Sequence, residues 1–182
     1  MKKNIFYSLF RKLYDILAKP APAAGFAEAV SMADHEVYAV PESVKAFATN
    51  EWNKRGSAVK LTLSNDYDTN LQSAKWIALQ LQKPLYKIDL GKVAGKYIGE
   101  TEKNLAAIFD TAEKKDWILL LDEADALFGK RSDIKDAHDR YANIAVAYLE
   151  KRIGQFKGTV LINCLTPECN EWKPAGLVHL KD

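Results

Sequence analysis

Residues 117–125 read Trp117-Ile118-Leu119-Leu120-Leu121-Asp122-Glu123-Ala124-Asp125, and this stretch decides the fold. An aliphatic run of strand length with no alternating polar residue belongs to a strand buried on both faces, as in a parallel sheet covered by helices. The run ends at once in Asp122-Glu123, which places two carboxylates at the carboxyl edge of that strand. Open α/β sheets hold their ligands at that edge, so the pair is the first candidate for chemistry. Taken alone, it also fits a solvated strand end.

Working outward, apolar periodicity keeps switching between strand and helix. Residues 59–63 form a short apolar strand, and Leu71, Ala74, Ile77, Ala78 and Leu81 give a helix over 70–82. A second strand over 84–90 runs through Leu85-Tyr86-Lys87-Ile88. It is followed by a helix over 101–115 with Leu105, Ile108, Phe109 and Ala112 inward. Beyond the central stretch come a helix over 139–156, a strand over 158–164 and a short fifth strand over 177–180. Residues 41–54 form a helix opened by Pro41 near its first turn. Alternating strands and helices predict an α/β three-layer αβα sandwich with a parallel sheet.

The N-terminal segment is different in kind. Phe6, Leu9, Phe10, Leu13, Ile16 and Leu17 make an apolar stripe on a helix over 5–18, flanked by Lys2, Lys3, Arg11 and Lys12. Residues 1–26 carry a net charge of +4 and the rest of the chain −2. Pro20-Ala21-Pro22-Ala23-Ala24-Gly25 then breaks the helix as a linker. The chain thus divides into an amphipathic helix with its linker, 1–26, and an α/β core, 27–182. Such a helix docks on a protein surface or lies on an anionic membrane. A secretory signal is disfavoured, because Arg11, Lys12 and Asp15 interrupt the apolar stretch.

Composition bounds the rest. With 182 residues, 48% hydrophobic, 10% aromatic and a net charge of +2, the chain fits one soluble domain. It is neither disordered, collagen-like nor a disulfide scaffold. Cys164 and Cys169 match no zinc or redox spacing and read as reduced thiols in or beside a strand, which favours a cytoplasmic setting. His35, His138 and His179 have no triad or ligand spacing around them. The charges of 129–136 alternate in sign, as on a solvated loop, so no nucleic-acid partner is expected.

Three neighbouring segments turn the carboxylate pair into a family resemblance. Lys96-Tyr97-Ile98-Gly99-Glu100-Thr101-Glu102-Lys103-Asn104 precedes the helix that leads into the central strand. Ala126-Leu127-Phe128-Gly129-Lys130-Arg131-Ser132 and His138-Asp139-Arg140-Tyr141-Ala142-Asn143 follow it. In this order they resemble the AAA+ ATPases of the P-loop NTPase superfamily over about 84–149. The resemblance implies a sheet of order 5-1-4-3-2, Asp122 as the Walker B aspartate for magnesium, and Glu123 as the catalytic glutamate. It places Lys96, Tyr97 and Ile98 in an aromatic pore loop that grips a polypeptide substrate.

The departures from the family pattern bear on function. The phosphate loop G-x-x-x-x-G-K-[ST] should follow the 59–63 strand. The chain has Ser64-Asn65-Asp66-Tyr67-Asp68-Thr69-Asn70-Leu71 there, with Asn70 at the lysine position and Leu71 at the magnesium-binding position. No glycine remains to let the backbone wrap phosphates, and Asp66 and Asp68 add like charge. At ~5 Å and an effective dielectric of ~20, each repels a phosphate charge by about 3 kcal/mol. Loss of the lysine removes a comparable attraction. A helix dipole supplies about 1 kcal/mol, whereas a micromolar complex is held by roughly 8 kcal/mol. Gly91-Lys92-Val93-Ala94-Gly95-Lys96-Tyr97 is one residue short of a substitute and follows the wrong strand.

The family's polar sensor residue would fall near Leu165, with Asn163 two residues early. The double arginine before the last strand and the helical lid have no counterpart. Asp122 and Glu123 should stay hydrated or find partners such as Lys75 or Thr69. The expectation is an AAA+-like pseudo-ATPase, an interaction or regulatory module with no cofactor, whose partner is an intact AAA+ subunit or a larger complex. The alternative is an ATP-binding protein or slow magnesium-dependent ATPase using Asp122 and Glu123, with Thr69, Asn70 and Leu71 at the nucleotide.

Overall fold

The computed structural model of the chain describes residues 26–32, 40–50, 60–63, 66–95, 97, 99–124, 137–163, 165–166 and 178–180. Their elements run β1 (Ala27–Ala29), α1 (Glu42–Asn50), β2 (Lys60–Leu63), α2 (Tyr67–Leu81), β3 (Leu85–Asp89), α3 (Leu90–Val93), α4 (Glu100–Lys115), β4 (Ile118–Asp122), α5 (Ala137–Gln155), β5 (Val160–Asn163) and β6 (Val178–Leu180). The predicted N-terminal helix and linker, Lys96, Ile98, His35, Cys164 and Cys169 lie outside the described residues.

The six strands form one sheet of order β1-β3-β4-β5-β2-β6. β4 pairs in parallel with β3 and β5, and β2 with β5 and β6. β1 pairs with β3 antiparallel, Glu28 opposite Lys87, so the sheet is mixed rather than wholly parallel. Ala27-Glu28-Ala29 is too short and too weakly apolar to announce a strand, and it forms by capping the free edge of β3.

Alternate side chains of the central strands feed two cores, as the period of two requires. Leu119 and Leu121 of β4, Tyr86 and Ile88 of β3, and Val160 and Ile162 of β5 face α4 and α5. Ile118 and Leu120, Leu85, Leu161 and Leu63 face α1 and α2. Helices therefore cover both faces. Every residue of β4 is buried, and burying its aliphatic side chains stabilises the fold by about 2 kcal/mol each. Tyr86 stacks on Trp117 at 3.6 Å between ring centres, and Phe109 meets Phe156 edge to face at 5.3 Å.

α2 begins at Tyr67, three residues before the expected start at 70. Asp66 makes the difference. Its carboxylate accepts from the Thr69 backbone N–H at 3.0 Å and from the Thr69 hydroxyl at 2.5 Å, closing the first turn as an N-cap. Gln82, left-handed at φ 56°, ends the helix. α4 starts after the left-handed Gly99, with Glu100 and Glu102 in its first turn and Lys114 and Lys115 in its last, matching the helix dipole at both ends.

Candidate functional site at the carboxyl edge of the sheet

β2, β3, β4 and β5 end side by side, at Leu63, Asp89, Asp122 and Asn163. Strand parity sends Lys87, Asp122 and Asn163 to the face that α2 covers, the face that also takes Leu85, Leu120 and Leu161. The first turns of α2 bring Tyr67 and Asn70 to the same place.

A continuous polar bridge results. Asn70, 1% exposed, uses its amide twice: it donates to the Leu63 carbonyl at 3.1 Å and to Asn163 Oδ1 at 2.6 Å. Asn163, 3% exposed, donates from Nδ2 to Asp122 Oδ1 at 2.8 Å. The other carboxylate oxygen of Asp122 lies 3.6 Å from the Lys87 ammonium. Lys87 in turn donates to the Tyr67 hydroxyl at 3.3 Å and lies 5.9 Å from the centre of that ring. Burial pushes the Lys87 ammonium down. The Tyr67 bond and the charges of Asp122 and Glu28 outweigh it and hold the pKa above the ordinary lysine value.

Asp122 is therefore buried at 5% exposure but not bare, as chemistry demands of an inward carboxylate. Its partners are Asn163 and Lys87. Of the two expected partners, Thr69 has its hydroxyl turned to Asp66. Glu123 is exposed, and its backbone is left-handed at φ 55°, a conformation that β-carbon sterics resist. Asp66 caps α2 from outside the bridge. Its bonds to the Thr69 hydroxyl and backbone N–H hold its carboxyl below the ordinary value of 3.8. Leu71 is partly buried and packs against the α2-side core, with no oxygen to offer the site.

The residue that sequence reasoning displaced is Asn163. It is the last residue of the fourth parallel strand and the polar link between α2 and Asp122, whereas Leu165 is 50% exposed. The polar end of this strand is at 163 and not at 165. The end of the apolar run Val160-Leu161-Ile162 was the signal for it. Lys87 was missed as well, because in a strand read alone it is one polar residue on an alternating face.

Tyr97 lies away from this bridge, 79% exposed in the segment before α4. The first turn of α4 braces that segment. The Glu100 carboxylate accepts from Tyr97 N–H at 3.3 Å, the Thr101 hydroxyl from Gly95 N–H at 3.0 Å, and Asn104 donates to the Val93 carbonyl at 3.2 Å. Asp89 caps the short α3 through Lys92 N–H at 3.1 Å, so Gly91, Lys92 and Val93 after β3 lie in a helical turn and not in an open loop.

Fold and edge together define the class: an α/β protein of P-loop NTPase-like architecture with a polar cluster at the carboxyl ends of its strands. The family model described as "ATPase family associated with various cellular activities (AAA)" matches residues 72–177, more than half of the 182 residues. The chain belongs to this family. Similar proteins include the uncharacterized AAA family ATPase y4kL of Sinorhizobium fredii, 37% identical over 60 residues that make up 33% of this chain and 18% of that protein. The ATPase family gene 2 protein of Schizosaccharomyces pombe is 39% identical over 66 residues, 35% of this chain and 8% of that protein. The uncharacterized AAA domain-containing protein ycf46 of Trieres chinensis is 38% identical over 66 residues, 36% and 13% of the two chains. Each match thus covers less than a fifth of the relative's own length. Among the described residues, no helix is long and apolar enough to cross a membrane.

Proposed function

We propose that this domain keeps the AAA fold but works without ATP turnover, as an interaction or regulatory module toward a protein partner such as an intact AAA subunit. The observation that carries the reading is the state of the α2 N-terminus. A phosphate group would use the backbone N–H groups there. The Asp66 carboxylate already accepts from Thr69 N–H at 3.0 Å.

Tested against a triphosphate with magnesium, the residues present do not fit. Asn70, at the expected lysine position, is neutral and spends both amide hydrogens inside the protein. Leu71 has no ligand oxygen. Asp122, the expected Walker B aspartate, is matched by Lys87 and Asn163. The family match takes up the chain at residue 72, past the stretch 64–71 where the phosphate loop belongs. On this reading the domain offers a partner a fixed surface, and exposed Tyr97, flanked by Lys96 and Ile98 in the sequence, is a contact residue. Calorimetric titration of the 182-residue chain with ATP and magnesium is the test. No heat of binding is expected, and low-micromolar affinity refutes the proposal.

One observation favours a second reading, a slow magnesium-dependent ATPase. Glu123 is exposed beside Asp122 in a strained left-handed conformation, and such strain concentrates at working sites. That reading requires phosphate release that Glu123→Gln abolishes. No turnover, alone or mixed with an intact relative, removes it.

A further inference from the structure

We propose that Lys87 is the fixed counter-ion of Asp122, a tethered cation where a buried carboxylate would otherwise need a dissociable divalent one, keeping the carboxyl edge of the sheet in a single ligand-independent state. The proposal rests on the reading above that this edge does not take up ATP with magnesium.

Register puts the two charges together. Lys87 of β3 stands opposite Leu120 of β4, and Asp122 lies two residues further along the same face. Neighbours on one face at that offset are within reach of a long side chain. The Lys87 ammonium sits 3.6 Å from one carboxylate oxygen, and Asn163 occupies the other at 2.8 Å. Both oxygens therefore have partners, one of them a fixed cation that repels a metal ion. Lys87 is also held from behind. The Tyr67 hydroxyl accepts from it at 3.3 Å and the Tyr67 ring lies 5.9 Å away, which fixes a side chain that is otherwise rich in rotamers. Its side chain is 29% exposed against 7% for Asp122, so Lys87 is the more solvent-accessible member of the pair.

A lysine that merely packed against Asp122 and a lysine that replaces a cation differ in one respect. Only the second leaves a divalent-ion site when its charge is removed. The test uses Lys87→Met, which keeps length and loses charge, Lys87→Arg, which keeps charge, and the double variant Lys87→Met with Asp122→Asn. Thermal melting is followed with and without Mn²⁺ alone. The wild type and Lys87→Arg should shift by less than ~1 °C on adding Mn²⁺, since an ion without a site stabilises nothing. Lys87→Met should melt roughly 5 °C lower and recover several degrees with Mn²⁺. The double variant should recover without it.

Any of four results overturns the proposal: Lys87→Met melting like the wild type, Lys87→Met ignoring Mn²⁺, Mn²⁺ raising the wild type as much as the variant, or a double variant no better than the single one. If Lys87→Met does not fold, a folded, Mn²⁺-insensitive double variant supports the proposal and an unfolded one refutes it. Binding of ATP with magnesium by the wild type sinks the reading of the domain as ATP-independent. A Lys87→Met variant that ignores Mn²⁺ sinks only the role of Lys87.

Discussion

Asn70→Ala tests the bridge where it is most buried. The Asn70 amide makes two internal hydrogen bonds, 3.1 Å to the Leu63 carbonyl and 2.6 Å to Asn163 Oδ1, in a side chain 1% exposed. Alanine removes both donors and leaves the two acceptors in place. An unsatisfied buried acceptor costs about 1–3 kcal/mol, so the two together cost about 2–6 kcal/mol, less whatever an entering water restores. An expected loss of about 3 kcal/mol is a large part of the 5–15 kcal/mol that holds a typical domain together. At this length it lowers the melting temperature by roughly 6–12 °C. The assay is urea unfolding of the wild type, Asn70→Ala, Asn163→Ala and the double variant, with ΔG compared at constant m. Because the residues share a bond, the double variant should lose at least ~1 kcal/mol less than the sum of the singles. Ser73→Ala, which removes only a bond to the Thr69 carbonyl one turn back, is the control and should cost under about 1 kcal/mol. An Asn70→Ala loss below about 0.5 kcal/mol, or strict additivity with Asn163→Ala, refutes the bridge as a source of stability.

Two further outcomes follow from the same edge. The folded-state pKa of Asp66 lies below its ordinary 3.8, so its contribution is complete above that value and is lost as pH falls through the lowered one. Wild type and Asp66→Asn, which keeps a capping oxygen without charge, should therefore differ in melting temperature at neutral pH and converge as the pH falls below the ordinary 3.8; a gap that widens in acid contradicts the capping role. Glu123 is left-handed at φ 55°, which costs an L residue about 1–2 kcal/mol, while glycine gives back roughly 0.5–1 kcal/mol in unfolded-state entropy. Glu123→Gly should thus hold or raise the urea midpoint where Glu123→Ala gains nothing, and a clear loss on glycine substitution shows that the conformation is not strained.

The layers of the fold could be read from the sequence because apolar periodicity reports burial directly. The run Ile118-Leu119-Leu120-Leu121 announced a strand covered on both faces, and all of it is buried. The 3.6-residue stripe Leu105, Ile108, Phe109, Ala112 announced the inward face of α4, and those four residues are buried. Where burial did not decide the structure, the reading failed. β1 forms from Ala27-Glu28-Ala29 only because β3 offers a free edge. The first turn of α2, Tyr67-Asp68-Thr69-Asn70, carries no apolar stripe, and a single capping carboxylate organises it. Asp at the cap position ahead of a helical period is a legible signal, since the charge that repels an anion also accepts from the first-turn N–H groups. At the site, Asp122 and Glu123 could be placed at a strand end from their neighbours alone. Their surroundings could not, because Lys87, Asn163 and Asn70 come from three other elements, and register across the sheet decides which of their side chains meet.

That dependence on register bears on what the edge can do. A buried carboxylate whose compensation dissociates has two states, and a protein built around it changes shape as the ligand comes and goes. Asp122 is compensated by groups that cannot leave, an amide on β5 and an ammonium on β3, and the amide is anchored to α2 through Asn70. Such a cluster ties β2, β3, β4, β5 and the start of α2 into one arrangement. Losing one member raises the energy of the rest instead of selecting an alternative. A ligand can shift an equilibrium only if a second state lies within reach of its differential binding energy. On the proposed reading, therefore, a partner meets this domain as a rigid surface, and its affinity should be the same with and without ATP.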